Sequence, residues 1–181
     1  MKRLLFLTGT PGVGKTTVLL KTVEKLKLQG VSVGGMISRE ARIGGERVGF
    51  EILDLMSGNR GWLAHVEGKE GPRVGKYRVN LEDVDLVGVE AVLDAVESAD
   101  VVVVDEVGPM ELCSERFRVA VRRAVEGELV VVGVVHWKAR DRLTDEVKKR
   151  EDLEMVEVTG ENREDLPRIL FGKVVEALPK A

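Results

Sequence analysis

The sequence predicts an α/β domain in three layers, a mostly parallel sheet covered on both faces and carrying an antiparallel hairpin insertion. Apolar runs short enough to be buried strands, Leu4-Leu5-Phe6-Leu7, Val101-Val102-Val103-Val104 and Leu129 to Val135, alternate with segments of helical period. A glycine-rich stretch, Gly9-Thr10-Pro11-Gly12-Val13-Gly14-Lys15-Thr16-Thr17, separates the first such run from the first helical segment. Gly44-Gly45, set between β-prone residues, marks a hairpin whose turn needs positive φ at both central positions.

In chain order, Leu4 to Leu7 opens the sheet and the glycine stretch follows at once. Val18, Leu19, Val23 and Leu26 then recur at helical spacing, with Gly30 as the helix stop. A second strand runs from Val31 toward Met36-Ile37, and its return passes through Phe50, Ile52 and Leu55. Trp62 to Val66 and Val74 to Val79 read as two more short strands, so Arg39 to Asn80 is an antiparallel insertion too small for its own core. Val89, Val92, Leu93 and Val96 predict a helix before the four-valine strand, and Phe117, Val121 and Ala124 another after it. Lys138 to Arg150 reads as a charged, mobile helical segment, and Met155 to Val158 as the last strand. The closing helix sets Leu166, Ile169, Leu170 and Val174 on one face and tolerates Pro167 because it lies in the first turn.

Composition bounds the function. The 181 residues suit a single domain spanning 1–181, with the insertion at about 39–80. A net charge of −3 gives no reason to expect a polyanion-binding surface over the whole molecule, and with no basic, aromatic-interleaved groove nucleic acid is the least expected partner. The single cysteine, Cys113, excludes a disulfide framework and a cysteine metal knuckle. With no leader pattern and no membrane-length apolar run, the expected setting is cytoplasmic, with no membrane partner. Charged residues make up 33% of the chain while amides are scarce, which leans toward a heat-adapted source.

The stretch Gly9 to Thr16 fits G-x-x-x-x-G-K-[ST], and its strand–loop–helix context is that of the three-layer P-loop NTPase fold. Its glycines let successive N–H groups point into one concavity suited to an anion. The candidate nucleotide-binding residues are therefore Gly9, Thr10, Pro11, Gly12, Val13, Gly14, Lys15, Thr16 and Thr17. Lys15 supplies a point charge to the β- and γ-phosphates, and the Thr16 hydroxyl a ligand for Mg²⁺, the expected cofactor. Asp105, ending the four-valine strand, is the second Mg²⁺ candidate. Glu106 is positioned to polarise a water for in-line attack, and its other reading is a turn cap or surface ion pair.

Asp105-Glu106-Val107-Gly108-Pro109-Met110-Glu111-Leu112 resembles the Asp-Glu-[Ile/Val]-Gly-x-Met-Glu signature of the thermophile nucleoside triphosphatases, the family that includes the human cancer-related NTPase. Arg47-Val48-Gly49-Phe50, Val74-Gly75-Lys76-Tyr77 and Thr159-Gly160-Glu161-Asn162-Arg163 agree with it in order, so the similarity spans nearly the whole chain. The resemblance implies Mg²⁺-dependent hydrolysis of ATP, GTP and other triphosphates to diphosphate and phosphate with weak base discrimination. It also implies a RecA-like sheet with an extra strand between the loop strand and the Asp105 strand. Where many members carry a Thr-Ile-Pro-like turn, this chain has Val135-His136-Trp137. His136 is a γ-phosphate sensor candidate or a loop histidine, and Trp137 would cover the nucleotide or a second substrate. Lys138 and Arg140, with Arg142, form a cationic lid or plain surface charge on a helix. Asn162 would bond the base edge or cap a helix, and Arg163 would stack on the base.

Nucleoside triphosphates are the expected partners, and no protein partner is indicated. A nucleotide or small-metabolite kinase is the alternative, since a P-loop and basic lid also serve transfer to a hydroxyl; Glu106 beside water argues against it. A GTP-binding switch is the third reading, opposed by the missing Asn-Lys-x-Asp element.

Overall fold

The computed structural model describes residues 1–136 and 138–180. The covering role expected of Trp137 lies outside the described residues. The chain runs β1 (Leu4–Thr8), α1 (Lys15–Leu28), β2 (Val33–Ile43), β3 (Glu46–Asp54), β4 (Arg60–His65), β5 (Arg73–Val74), β6 (Tyr77–Val79), α2 (Leu81–Asp83), α3 (Glu90–Ser98), β7 (Val101–Val107), α4 (Glu115–Glu126), β8 (Val130–Val135), α5 (Arg142–Lys148), β9 (Leu153–Glu157) and α6 (Leu166–Ala177). A π-helical turn, Val84–Val89, joins α2 to α3, and a 3₁₀ turn, Glu111–Cys113, precedes α4.

The strands form one nine-stranded sheet in the order β5-β6-β4-β3-β2-β7-β8-β1-β9. From β2 to β9 the pairings are parallel, and from β2 outward to β5 they are antiparallel. β8 lies between β1 and β7, the extra strand that the RecA-like resemblance implies. Strand alternation divides the core. Leu5, Leu7, Val101, Val103, Val132 and Val134 pack with α1 and α6 on one face. Leu4, Phe6, Val102, Val104, Val131 and Val135 pack with α3 and α4 on the other. Among the described residues no helix is long and apolar enough to cross a membrane.

The insertion is less separate than its sequence suggests. β2 is one 11-residue strand that pairs in parallel with β7 from Val33 to Met36 and antiparallel with β3 from Met36 to Ile43. The antiparallel layer therefore starts inside the central sheet, at Met36 rather than at Arg39. Gly44 and Gly45 turn it at φ +58° and +83°, as the hairpin requires. Val74 to Val79 is not one strand: Gly75 at φ +60° folds it into the β5–β6 hairpin. The helix expected from Val89 begins earlier, at Leu81, because the Asn80 side chain accepts from the Asp83 N–H and starts a turn there. The segment expected to be mobile is anchored. Asp141 caps α5 and takes both guanidinium nitrogens of Arg118 at 2.9 and 2.7 Å, while Leu143, Thr144 and Val147 are buried.

Candidate active site

The Gly9–Gly14 loop leaves β1 at the carboxyl edge of the parallel strands, the edge where open α/β sheets bind ligands. Gly9 sits at φ +146°, and a Cβ there would fall 2.8 Å from the Val158 carbonyl oxygen, so only glycine lets the loop pass the end of β9. Gly14, at φ +109°, turns the chain into α1. No side chain caps α1 and no acid occupies its first turn, which leaves the first N–H groups and the positive helix end for an anion. Thr10, Pro11, Gly12 and Thr17 are exposed around this concavity, with Val13 half-buried. Lys15 Nζ donates to the carbonyls of Gly9 at 2.8 Å and Thr10 at 3.0 Å, which holds its charge over the loop.

Thr16 Oγ1 donates to Asp105 Oδ2 at 3.1 Å, so the first turn of α1 meets the end of β7. The Ser38 N–H of β2 approaches the same oxygen at 3.4 Å. Asp105 is only 1% exposed, and its carboxyl is pushed up to about 7 by burial and then by the neighbouring Glu106 charge. The bonds from Thr16 and Ser38 and the Lys15 charge oppose this rise. A hard cation fits these donors, since it would restore the ionised carboxylate that burial disfavours. Among the described residues no three His, Cys, Asp or Glu converge as a protein cage. The Thr16 hydroxyl and the Asp105 carboxylate are the one or two protein oxygens that Mg²⁺ takes when phosphate and water complete its shell.

β7 shifts register against β8 between Asp105 and Val107, and the irregularity falls on Glu106. Asp105 thus continues the α1-side series of Val101 and Val103, Val107 packs in the opposite core, and Glu106 is the extra, unpaired residue between them. Burial raises the Glu106 carboxyl, and the His136 and Lys15 charges pull it back down. Glu111 is 4% exposed, and its carboxyl stands well above the usual range because of burial and then the Glu106 charge. Glu106 Oε1 and Glu111 Oε2 each lie 3.2 Å from where a Cβ on Gly108 would sit, so this glycine leaves the room both carboxyls use. Sequence reasoning gave Glu111 no role. Its signal was an acidic residue in an otherwise apolar turn, which the fold buries.

His136 follows β8, its N–H bonded to the Val107 carbonyl at 3.3 Å. Among the described residues two buried side-chain polar atoms lack a partner, His136 Nδ1 and Thr8 Oγ1. Both stand at the carboxyl edge, after β8 and at the end of β1, and Thr8 carried no sequence signal beyond preceding the loop. Lys138 and Arg140 are exposed in the segment after His136.

Beyond β9, Asn162 Oδ1 accepts from the Thr159 N–H at 2.8 Å, and its Nδ2 donates to the Glu157 carbonyl at 2.8 Å. The amide closes its own turn and is not the cap of α6, whose N-cap is Asp165. Arg163 reaches back to the phosphate loop, with Nη1 3.4 Å from the Val13 carbonyl.

A family model described as NTPase matches residues 4–171. The chain is 48% identical over 176 residues to the nucleoside-triphosphatase THEP1 of Thermofilum pendens, covering 96% of each chain. It is 43% identical over 172 residues to the THEP1 of Methanosarcina acetivorans, covering 94% of this chain and 96% of that one. The solution structure of a human cancer-related nucleoside triphosphatase superposes with a TM-score of 0.83 at 37% identity, covering 98% of this chain and 100% of the other. The crystal structure of THEP1 from Aquifex aeolicus gives 0.81 at 26% identity, covering 98% and 99%. Sequence and overall fold match over almost the full length, and the chain belongs to the NTPase family of the THEP1 nucleoside-triphosphatases.

Proposed function

We propose that this protein is a Mg²⁺-dependent nucleoside triphosphatase that cleaves the β–γ bond of ATP, GTP and other triphosphates with low base selectivity. The observation that carries the reading is the 3.1 Å bond from Thr16 to Asp105, which ties the phosphate loop to a buried carboxylate one residue from Glu106. The amides of Gly12 to Thr17 and the Lys15 ammonium bind and orient the phosphates. Thr16 and Asp105 hold Mg²⁺, which when bound supplies countercharge for the β- and γ-phosphate oxygens.

Glu106 accepts a proton from the attacking water. As the water oxygen bonds to the γ-phosphorus, the bond from that phosphorus to the β–γ bridging oxygen breaks, and nucleoside diphosphate and phosphate leave. Burial that raises the Glu106 carboxyl makes it a better proton acceptor than a free carboxylate. His136, with Nδ1 unpartnered beside this edge, serves the γ-phosphate or the water. Low base selectivity is supported by the other end of the crevice. Arg163 offers a planar face that any base can stack on. Asn162 has already committed one amide hydrogen and its oxygen to the turn, which leaves little for reading a base edge.

The test is phosphate release from ATP, GTP, CTP and UTP at elevated temperature with Mg²⁺ or with EDTA, and with no acceptor. Release from several triphosphates is expected, lost in EDTA and in Lys15→Ala. Glu106→Ala should still bind nucleotide but release phosphate at least about 100-fold more slowly. No release from the wild type, or release from one triphosphate alone, would overturn the assignment.

A further inference from the structure

Resting on the hydrolase reading above, we propose that Arg39 is a catalytic arginine supplied by the chain itself, which β2 aims at the γ-phosphate from the side opposite Lys15. Met36 pairs with Val104 in parallel register, so the next level sets Ile37 beside Asp105. Ile37 is fully buried in the layer under α1, the face to which Asp105 also belongs. Arg39 follows one pleat further along that same face. Ser38, between them, directs its N–H at Asp105 Oδ2 at 3.4 Å, which fixes the strand at this height.

Strands about 4.8 Å apart and a two-residue step of about 6.7 Å put the Arg39 Cβ about 8 Å from that of Asp105. An extended arginine spans about 6 Å from Cβ to its terminal nitrogens, so that span and one charge-assisted hydrogen bond of about 2.8 Å together cover the separation. Its guanidinium therefore reaches the space over the Thr16–Asp105 pair, where the terminal phosphate is bound in this reading.

The side chain is exposed and, among the described residues, makes no hydrogen bond or ion pair, although Glu51 stands opposite it across the β2–β3 ladder. The other arginines of this hairpin are held elsewhere. Arg42 and Arg47 both bind Glu40 at 2.9 Å, and Arg47 also donates to the Tyr77 hydroxyl at 2.9 Å. The guanidinium left unpaired is the one on the phosphate-loop face. A planar, always-charged fork there meets the charge that develops on the γ-phosphoryl oxygens, with no subunit or activator needed to supply it.

Arg39→Ala and Arg39→Lys are to be compared with wild type and with Arg42→Ala, whose cation is held by Glu40. The readouts are kcat and KM for Mg·ATP, and the Kd of ADP with and without aluminium fluoride. The expected result for Arg39→Ala is a kcat lower by at least about 100-fold with KM and the ADP Kd within about threefold. Binding of ADP with aluminium fluoride should weaken in parallel with kcat, Arg39→Lys should recover part of both, and Arg42→Ala should match wild type. Melting curves check that the exposed substitution leaves the fold intact.

A kcat within about threefold of wild type, or equal weakening of ADP with and without fluoride, overturns the assignment. Should wild type release no phosphate, the hydrolase reading fails separately, and Arg39 is then judged by binding alone. In that case loss of the preference for a non-hydrolysable Mg·ATP analogue over ADP in Arg39→Ala supports the contact, and an unchanged preference overturns it.

Discussion

Asp105→Asn puts the electrostatics of the site to a quantitative test. The Asp105 carboxyl rises from an ordinary 3.8 to about 7 in the folded protein, and it is 1% exposed. Between those values the folded chain keeps a proton that the unfolded chain has released. Stability must therefore fall as pH rises through this window, with the loss complete above about 7. One unit corresponds to about 1.4 kcal/mol, so the step from pH 5 to 7, where the group is half ionised, removes about 2 kcal/mol through this group alone, and the rest is lost by pH 8. Asparagine has no such proton to lose. Its Oδ1 can accept from Thr16 Oγ1 and the Ser38 N–H, which now share Asp105 Oδ2.

The stability advantage of the variant over wild type should accordingly grow by about 3 kcal/mol between pH 5 and pH 8. Urea unfolding of both proteins at the two pH values, free of metal and nucleotide, measures it. Adding Mg²⁺ with a non-hydrolysable triphosphate should raise the stability of wild type far more than that of the variant, and hydrolysis by the variant should be lost. An advantage that stays constant across pH, or a variant weaker than wild type at pH 8, refutes the claim that burial of this carboxylate destabilises the free protein.

Other substitutions probe the neighbours of the site. Thr8→Val removes a buried hydroxyl that has no partner among the described residues, so the free protein should gain about 1 kcal/mol, roughly 2–4 °C in Tm, while kcat falls because the crevice loses a polar group. A thermal scan and a kcat measurement on the same preparation check both halves, and an unchanged kcat denies Thr8 any part in turnover. Gly108→Ala should lower kcat at least about tenfold at nearly constant KM, since its Cβ meets Glu106 Oε1 and Glu111 Oε2 at 3.2 Å. Steady-state kinetics read this directly. Arg118→Ala should cost about 2 kcal/mol in urea unfolding, because it strips the α5 cap Asp141 of a half-buried two-nitrogen partner. A loss under about 0.5 kcal/mol would mean that α5 is held by Leu143 and Val147 alone.

What could be read from the sequence was whatever neighbouring residues specify among themselves. The Gly9–Thr16 loop declares its backbone conformation through its glycines. The valine runs declare doubly buried strands, and Gly44-Gly45 dictates a turn, all from local sterics and hydrophobic period. Asp105 and Glu106 were legible because their place follows from standing at the end of such a strand. Even so, nothing local in Val74 to Val79 tells a single strand from the hairpin observed, since one glycine that reverses the chain looks like one that merely weakens a strand.

The tertiary structure alone decided the relations between distant segments. It set β8 between β1 and β7, and laid β2 against β7 on one edge and β3 on the other. It buried Glu111 beside Glu106, left the Thr8 hydroxyl without a partner, and put Arg39 on the phosphate-loop face while Arg42 and Arg47 turned to Glu40. Such contacts join residues far apart in the chain, and their energies depend on desolvation and pairing that exist only once the sheet has closed around them.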